Sequence, residues 1–523
     1  MKFRKFARMV PYAKLAALNA GSRVIPDSLG ASALRREFAR QLVSMRGVPM
    51  KMSQVLAMSG GGPMADLQRE ALASVPAAST ESVRKRLRAC APRLYARLGE
   101  LSDPGLAASL GQVHRARLTD GRDCALKVKH AGIGPAMDLD AGLMELLTSV
   151  FGAFRKGFAL DAYRALLAGE LRGELDYPGE AARQARLHSA FAGAHGIVIP
   201  RAYPEESGPE HILMDWEASE PIERFARGAT GPERAEAAGL LGEFHFRTLF
   251  GLRGLPAVHA DPNPGNFGLR RGVRGVELVV YDFGSLVELD APLTRGLARL
   301  LGAAQRRADP YDCLLEMGFL PEPLGPIRAR LAQLCSLLCE PLSGDGPFDF
   351  SRWRRRERVE ALLGPERWNF MIAAPPPLFF VLRALQGIFL YSGYLGVSAA
   401  KDWCERAGKR AEDFPPQKSQ VKNGKSGDVD HAINSHASAT SGKAARHLRI
   451  EVRKLQDTVV SLTLPADCAY RLEDFIEPGL AERLRARGIS IASVVGTVER
   501  LGLVPMPLFR WSEDGSEVHI RLE

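Results

Sequence analysis

At 523 residues the chain exceeds a usual single domain, so two or three folded units are expected. Its 46% hydrophobic and 25% charged residues are those of an ordinary soluble globular protein, and no apolar run reaches the roughly 18 residues of a membrane span, so no transmembrane helix is expected. The formal net charge of +10 favours acidic partners, such as nucleotide phosphates or an anionic membrane surface, and seven scattered cysteines without a Cys-x-x-Cys pair fit a reducing compartment.

Residues 1–50 read as helical with basic faces, and Val10–Ala20 is interrupted by Pro11, Lys14 and Asn19, so no signal peptide is expected. A turn at Arg46–Pro49 leads into a helix stopped by glycines 60–62. A further helix is predicted from Thr80 to about Leu98. The period then changes. Ala107–Leu118 and Cys124–His130 are short strand-like runs joined by Thr119-Asp-Gly-Arg122, a hairpin signal. Ile133–Phe191 is helical in character with a kink near Tyr177-Pro-Gly179, and Ile197–Pro200 and His211–Trp216 read as strands. From Glu217 the chain turns mostly helical, with a long amphipathic helix predicted over Glu233–Leu252 and several more across 290–410. Met371–Ala400 holds three consecutive prolines, Arg383 and Gln386, and reads as buried helix. Residues 412–444 have a flexible linker's composition. The segment 445–523 reads as a small separate α+β module, with strands before Leu464, helix over Tyr470–Leu501 and a final hairpin around Glu513-Asp-Gly515.

The chemistry concentrates in two places. His259-Ala-Asp-Pro-Asn-Pro-Gly-Asn266 is too rich in Pro and Gly to be helix interior, and it sets Asp261 and Asn266 on one short loop. The β-branched apolar run Val276–Tyr281 then ends in Asp282-Phe-Gly284, a pattern that places a base and two oxygen or amide ligands around a nucleoside triphosphate. Upstream, Lys127 lies in Ala125-Leu-Lys-Val-Lys129 on the second strand of the hairpin, where a lysine can reach phosphates; Lys129, two residues on, shares its strand face. Pro104–His114 is a candidate phosphate-covering turn, its small side chains Ala107, Ala108 and Ser109 letting backbone N–H groups approach. Glu174, Asp176 and Glu180 supply carboxylates, with Glu180 the candidate counter-ion for Lys127; a plain charged helix face is the alternative.

These motifs in this order resemble the UbiB/AarF-domain family of atypical kinases across roughly residues 35–400. They are Lys51-Met-Ser-Gln54, Ala107-Ala-Ser109, Ala125-Leu-Lys127, Glu174-x-Asp176 with Glu180, His259-Ala-Asp-x-x-Pro-Gly-Asn266 and Asp282-Phe-Gly284. The resemblance implies an α+β fold: a two-lobed protein-kinase-like body with an N-terminal helical extension (1–100), an N-lobe (101–220) and a helical C-lobe (221–411), ahead of the linker and the 445–523 module. It implies that Lys127 contacts nucleotide phosphates and pairs with Glu180, that Asp261 is the catalytic aspartate, and that Asn266 and Asp282 hold Mg²⁺ for ATP. It implies that Lys51 and Gln54 fold over the cleft, Lys51 pairing with Glu174 or Asp176. Such a cover favours ATP hydrolysis or a small or lipid-like acceptor over a protein substrate.

The chain departs from the family pattern at Ser53, Leu106 and Asn263, where a glycine, an alanine and a histidine are usual. The expectations are an ATP/Mg-dependent kinase or ATPase supporting ubiquinone or isoprenoid-lipid metabolism, with anionic lipid, quinone precursors and lipid-biosynthesis proteins as partners. No nucleic-acid partner is expected. The expected location is cytoplasmic and peripheral on the inner face of the membrane. Two alternatives stay open: a nucleotide-sensing pseudokinase scaffold without phosphoryl transfer, and a small-molecule phosphotransferase sharing the Asp-x-x-x-x-Asn loop.

Overall fold

The computed structural model describes residues 78–107, 110–130, 169–170, 172–251, 256–261, 263–303, 309–343, 348–349, 352–410, 444–454, 457–475, 484–485, 489–513 and 516–523. The elements expected in residues 1–60 and 133–168, most of the linker, and the candidates Lys51, Gln54, Ala108 and Ser109 lie outside these residues.

The helix expected from Thr80 to Leu98 is two helices, α1 (Thr80–Cys90) and α2 (Pro92–Arg97). Between them Ala91 adopts φ −142°, because a residue before proline is driven out of the helical region. Strands β1 (Leu98–Leu101), β2 (Leu106–Ala107), β3 (Gly111–Leu118) and β4 (Asp123–Lys129) follow. The single run expected over 107–118 is thus divided between β2 and β3. The β3–β4 hairpin turns at Gly121, whose φ of +87° is the left-handed conformation glycine adopts without cost. Next come α3 (Tyr177–Ala190), β5 (Ile197–Val198) and β6 (His211–Asp215). An antiparallel sheet of order β1-β3-β4-β6, with β2 beside β3, forms the first lobe.

Alternation along β4 decides what each face of that sheet meets. Cys124, Leu126 and Val128 pack with Val83, Leu87, Leu94 and Leu98, so residues 80–98 are built into the sheet's outer core. Ala125 faces the other way, toward Tyr177 and Ala181 of α3. Lys127 and Lys129 keep the parity of Ala125, so both lie on the α3 face.

The second lobe opens with β7 (Glu220–Pro221), α4 (Ile222–Gly228) and α5 (Gly231–Phe246). A capping box between Thr230 and Glu233 starts α5. The helix ends at Phe246 and winds into a π turn at Arg247–Gly251, shorter than the predicted Glu233–Leu252 stretch. Then come β8 (Ala257–His259), β9 (Phe267–Gly272), β10 (Gly275–Val280) and β11 (Leu286–Glu288). β9 was not expected: Phe-Gly-Leu-Arg-Arg-Gly has weak strand character alone but pairs along its full length with β10. These strands form a sheet of order β5-β10-β9-β7 and a two-stranded β8–β11 ladder.

Helices α6 (Ala291–Leu301), α7 (Pro310–Glu316), α8 (Leu331–Cys339), α9 (Arg355–Leu363), α10 (Arg367–Ala373), α11 (Leu378–Leu395) and α12 (Trp403–Arg410) complete the lobe around one large core. Among the described residues α11 alone has the length and apolar composition of a membrane span, but ten of its residues, Arg383 and Tyr391 included, are buried within the lobe. The two-lobed α+β arrangement is that of a protein-kinase-like fold.

The C-terminal module is an antiparallel sheet of order β13-β12-β15-β14, formed by β12 (His447–Lys454), β13 (Asp457–Pro465), β14 (Met506–Glu513) and β15 (Ser516–Leu522). Helix α13 (Ile491–Leu501) and a 3₁₀ stretch at Ala466–Phe475 cover it. Ile372 and Trp368 of α10 enter its core, so the module is seated on the helical lobe.

Candidate active site

Lys127 is brought to its partners by β4 and α3. Asp176 caps α3 by accepting the Gly179 N–H, and Pro178 occupies the first turn, where its missing N–H costs nothing. One helical turn on, Glu180 faces the sheet, and its Oε1 lies 2.7 Å from Lys127 Nζ. The same Oε1 accepts the Phe283 N–H at 3.2 Å, so one carboxylate joins the first lobe to the Asp-Phe-Gly turn. Lys127 Nζ also reaches Asp282 Oδ2 at 3.1 Å.

Burial works against the charge on Lys127, but Asp282 and Glu180 more than offset it, and its pKa stands well above the usual lysine value. Burial pushes the Glu180 carboxyl up to about 7, with Lys127 opposing and Asp282 adding to the rise.

The Asp-Phe-Gly turn is pinned from below. Asp282 has φ +51°, uncommon for a residue with a side chain, and its Oδ1 accepts the Gly284 N–H. His259 at the end of β8 donates from Nε2 to the Asp282 carbonyl at 2.7 Å, which assigns its proton to that nitrogen because a carbonyl can only accept. Its ring is wedged among Phe244, Phe267 and Phe283. Ser285 Oγ donates to Glu174 Oε1 at 2.8 Å, and Arg183 donates to the Phe283 carbonyl.

The loop from Asp261 to Asn266 is held by its own turns. Asp261 Oδ1 accepts the Asn263 N–H, and Asn263 Oδ1 accepts the Gly265 N–H. Asn263 therefore acts as a turn former, which an Asn side chain does well. Asn266 Nδ2 donates to the Asp261 carbonyl, and the Tyr281 N–H donates to the Asn266 carbonyl at 2.8 Å, which sets Asn266 next to Asp282. Buried Tyr391 of α11 feels the Asp261 carboxylate: burial first, and that charge second, push its hydroxyl well above the usual range.

Several sequence candidates are thus brought together: Lys127, Glu180 and Asp282 in direct contact, with Asp261 and Asn266 on the adjoining loop. Glu174 accepts from Ser285, while the ion pairs of Lys127 run to Glu180 and Asp282. Asp176 is an exposed helix cap, and Ala107 pairs with Gln112 in β2. Two neighbours had a legible but unread signal. Tyr177 follows Asp176 directly and carries both Lys127 and Lys129 over its ring. Ser285 is the residue after the Asp-Phe-Gly.

The described residues include no cluster of three or more His, Cys, Asp or Glu side chains able to hold a metal. The Asp282 carboxylate and the Asn266 amide are hard oxygen donors, and such a pair suits Mg²⁺, which takes few protein ligands and completes its shell with phosphate oxygens and water.

Residues 70–310 match the family model described as the ABC1 atypical kinase-like domain. The atypical kinase COQ8 of Schizosaccharomyces pombe, mitochondrial, is 28% identical over 68% of this chain and 59% of its own length. The mitochondrial atypical kinase coq-8 of Caenorhabditis elegans is 26% identical over 56% of this chain and 39% of its own. The chain therefore spans less than two thirds of these relatives. The Rv3197–erythromycin complex of Mycobacterium tuberculosis aligns at 21% identity and a TM-score of 0.49, covering 72% of this chain and 97% of that one. With this domain match, these relatives and the ordered motifs around Lys127, Asp261 and Asp282, residues 70–310 are a kinase-like domain of the UbiB/AarF type.

Proposed function

We propose that the protein is an ATP- and Mg²⁺-dependent kinase or ATPase of the UbiB type that supports ubiquinone or isoprenoid-lipid metabolism at a membrane surface. The observation that carries this reading is the Lys127–Glu180–Asp282 cluster, with Lys127 and Glu180 buried and Asp282 partly so, beside the Asp261–Asn266 loop. In it, Glu180 holds the Lys127 ammonium in place to orient phosphate oxygens. Asp261, fixed by the Asn263 N–H, is set to accept a proton from an acceptor hydroxyl or a water. Asn266 and Asp282 would hold Mg²⁺, which supplies charge neutralisation on the phosphates. Positioning and charge do most of the work in such a transfer.

The test is ATP turnover by the full chain, with and without anionic liposomes and a phenolic quinone precursor. Turnover stimulated by lipid is expected, and Asp282→Asn is expected to abolish it. Undiminished hydrolysis in that variant would sink the assignment. One observation favours the scaffold reading: Lys127 already engages Asp282, the carboxylate meant for metal. Thermal stabilisation by nucleotide with no turnover under any condition would select it.

A further inference from the structure

Lys129 takes no part in the cluster around Lys127, although it is the next residue on the same face of β4. Only 9% of it is exposed. Its ammonium stands 4.8 Å from the centre of the Tyr177 ring, and that of Lys127 stands 5.2 Å from the same centre. The two lysines differ in charge balance. Lys127 has Glu180 and Asp282 within ion-pair distance, whereas no carboxylate of the described residues forms an ion pair with Lys129. Glu210 is turned to Arg86 at 3.0 Å, and the backbone N–H of Lys129 donates to the Glu210 carbonyl instead. Burial pulls the Lys129 ammonium below its ordinary value, with Glu210, Asp176 and, least, Glu180 opposing from a distance and Arg86 adding to the fall.

Position adds a second constraint. The β3–β4 register sets Lys129 opposite Gly111, at the start of β3, and Lys127 opposite Val113. A methyl group on Gly111 would lie 2.5 Å from the Val128 carbonyl oxygen and 2.7 Å from the Tyr177 hydroxyl, so β3 enters the sheet pressed against the ring that carries both lysines. An ammonium set against a ring face in a largely buried lysine, with no carboxylate in ion-pair contact among the described residues, is costly until an anion completes it. A nucleoside polyphosphate in this cleft brings several negative charges, while the cation at Lys127 is already balanced.

We propose that Lys129 is a second phosphate-binding cation, which contacts the polyphosphate near the head of β3 while Lys127 remains tied to Glu180 and Asp282. The proposal rests on the nucleotide-site reading given above. It makes the cleft's affinity for phosphate depend on a residue outside the Lys127 ion-pair network.

The test compares the full-length protein with Lys129→Met and Lys129→Arg, titrating ATP, ADP and adenosine in Mg²⁺ buffer by calorimetry, with a thermal melt of each variant. Loss of a charge-assisted phosphate contact should weaken ATP and ADP binding by about 10- to 100-fold in Lys129→Met. Adenosine binding should be unchanged, and Lys129→Arg should stay within a few-fold of the parent. If the parent binds ATP and Lys129→Met binds it as tightly, the proposal fails and the nucleotide site stands. If adenosine is lost in step with ATP in both variants, Lys129 is structural and the proposal fails. If the parent binds none of the three ligands, the nucleotide reading fails and this proposal falls with it.

Discussion

Replacing Lys127 by methionine tests the electrostatics at the centre of the site. Methionine keeps most of the stem's volume and removes the charge. Glu180, whose side chain is 1% exposed, is left with the Phe283 N–H on its carboxylate and Asp282 nearby. Removing one partner of a buried pair costs about 3–5 kcal/mol. Glu180 offers an independent scale: its rise from 4.5 to about 7 happens with Lys127 still opposing it. A shift of that size corresponds to about 3 kcal/mol. Without Lys127 the carboxyl should rise further.

The sign follows from proton linkage. An acid whose folded pKa lies above its unfolded value binds its proton more tightly when folded. Stability therefore falls as pH climbs from the unfolded value through the folded one, and is level above it. In the parent this window runs from 4.5 to about 7. In Lys127→Met it extends above that, so the variant's penalty should be small near pH 5 and largest near pH 8.

The assay is urea unfolding at both pH values for the parent, Lys127→Met, Glu180→Gln and the double variant. The midpoint of the kinase-unit transition is followed, because a chain of several units need not unfold in one step. At pH 8 the double variant should be more stable than Lys127→Met alone, with a coupling of about 1 kcal/mol or more. A penalty that is the same at both pH values and additive in the double variant would refute the reasoning.

Three further outcomes are expected. Ser285→Ala removes one hydrogen bond to the buried Glu174 carboxylate and should cost about 1–3 kcal/mol by urea titration, while Glu174→Gln should cost less because the amide's oxygen can still accept that hydroxyl. Gly242→Ala would set a methyl carbon 1.7 Å from the Ala399 carbonyl oxygen, so α5 and the chain after α11 must part; the melting temperature should drop by more than that of Gly239→Ala, where nothing lies within 4 Å. Asn263→Ala loses the acceptor for the Gly265 N–H and should lower ATP turnover more than it lowers stability, whereas Asn263→Asp, which keeps that acceptor, should retain most of the turnover.

Much of the chain was legible because its signals are local. The Asp120-Gly121 turn fixes the β3–β4 hairpin, and alternation along Ala125–Lys129 sets Lys127 on one face whatever packs there. The Pro- and Gly-rich loop before the run at 276–281 could only be a turn entering a strand, so Asp261, Asn266 and Asp282 fall at a loop and a strand end by sequence alone. The ordered motifs alone also pointed to the kinase family. What failed locally failed for local reasons: Pro92 split one expected helix, and β9 has too little apolar pattern to be read without its partner β10.

Which carboxylate meets which cation was a matter of tertiary structure. Glu174, Asp176 and Glu180 are chemically alike in one short stretch, yet one binds a hydroxyl, one caps a helix and one is buried on a lysine. Spacing alone cannot separate them, because their partners come from segments remote in sequence and the energy of a charge depends on the burial those segments create. The same holds for Lys127 and Lys129. Period two makes them equivalent on the strand. The Glu180 of α3 and the Asp-Phe-Gly turn, arriving from either side, neutralise only one of them.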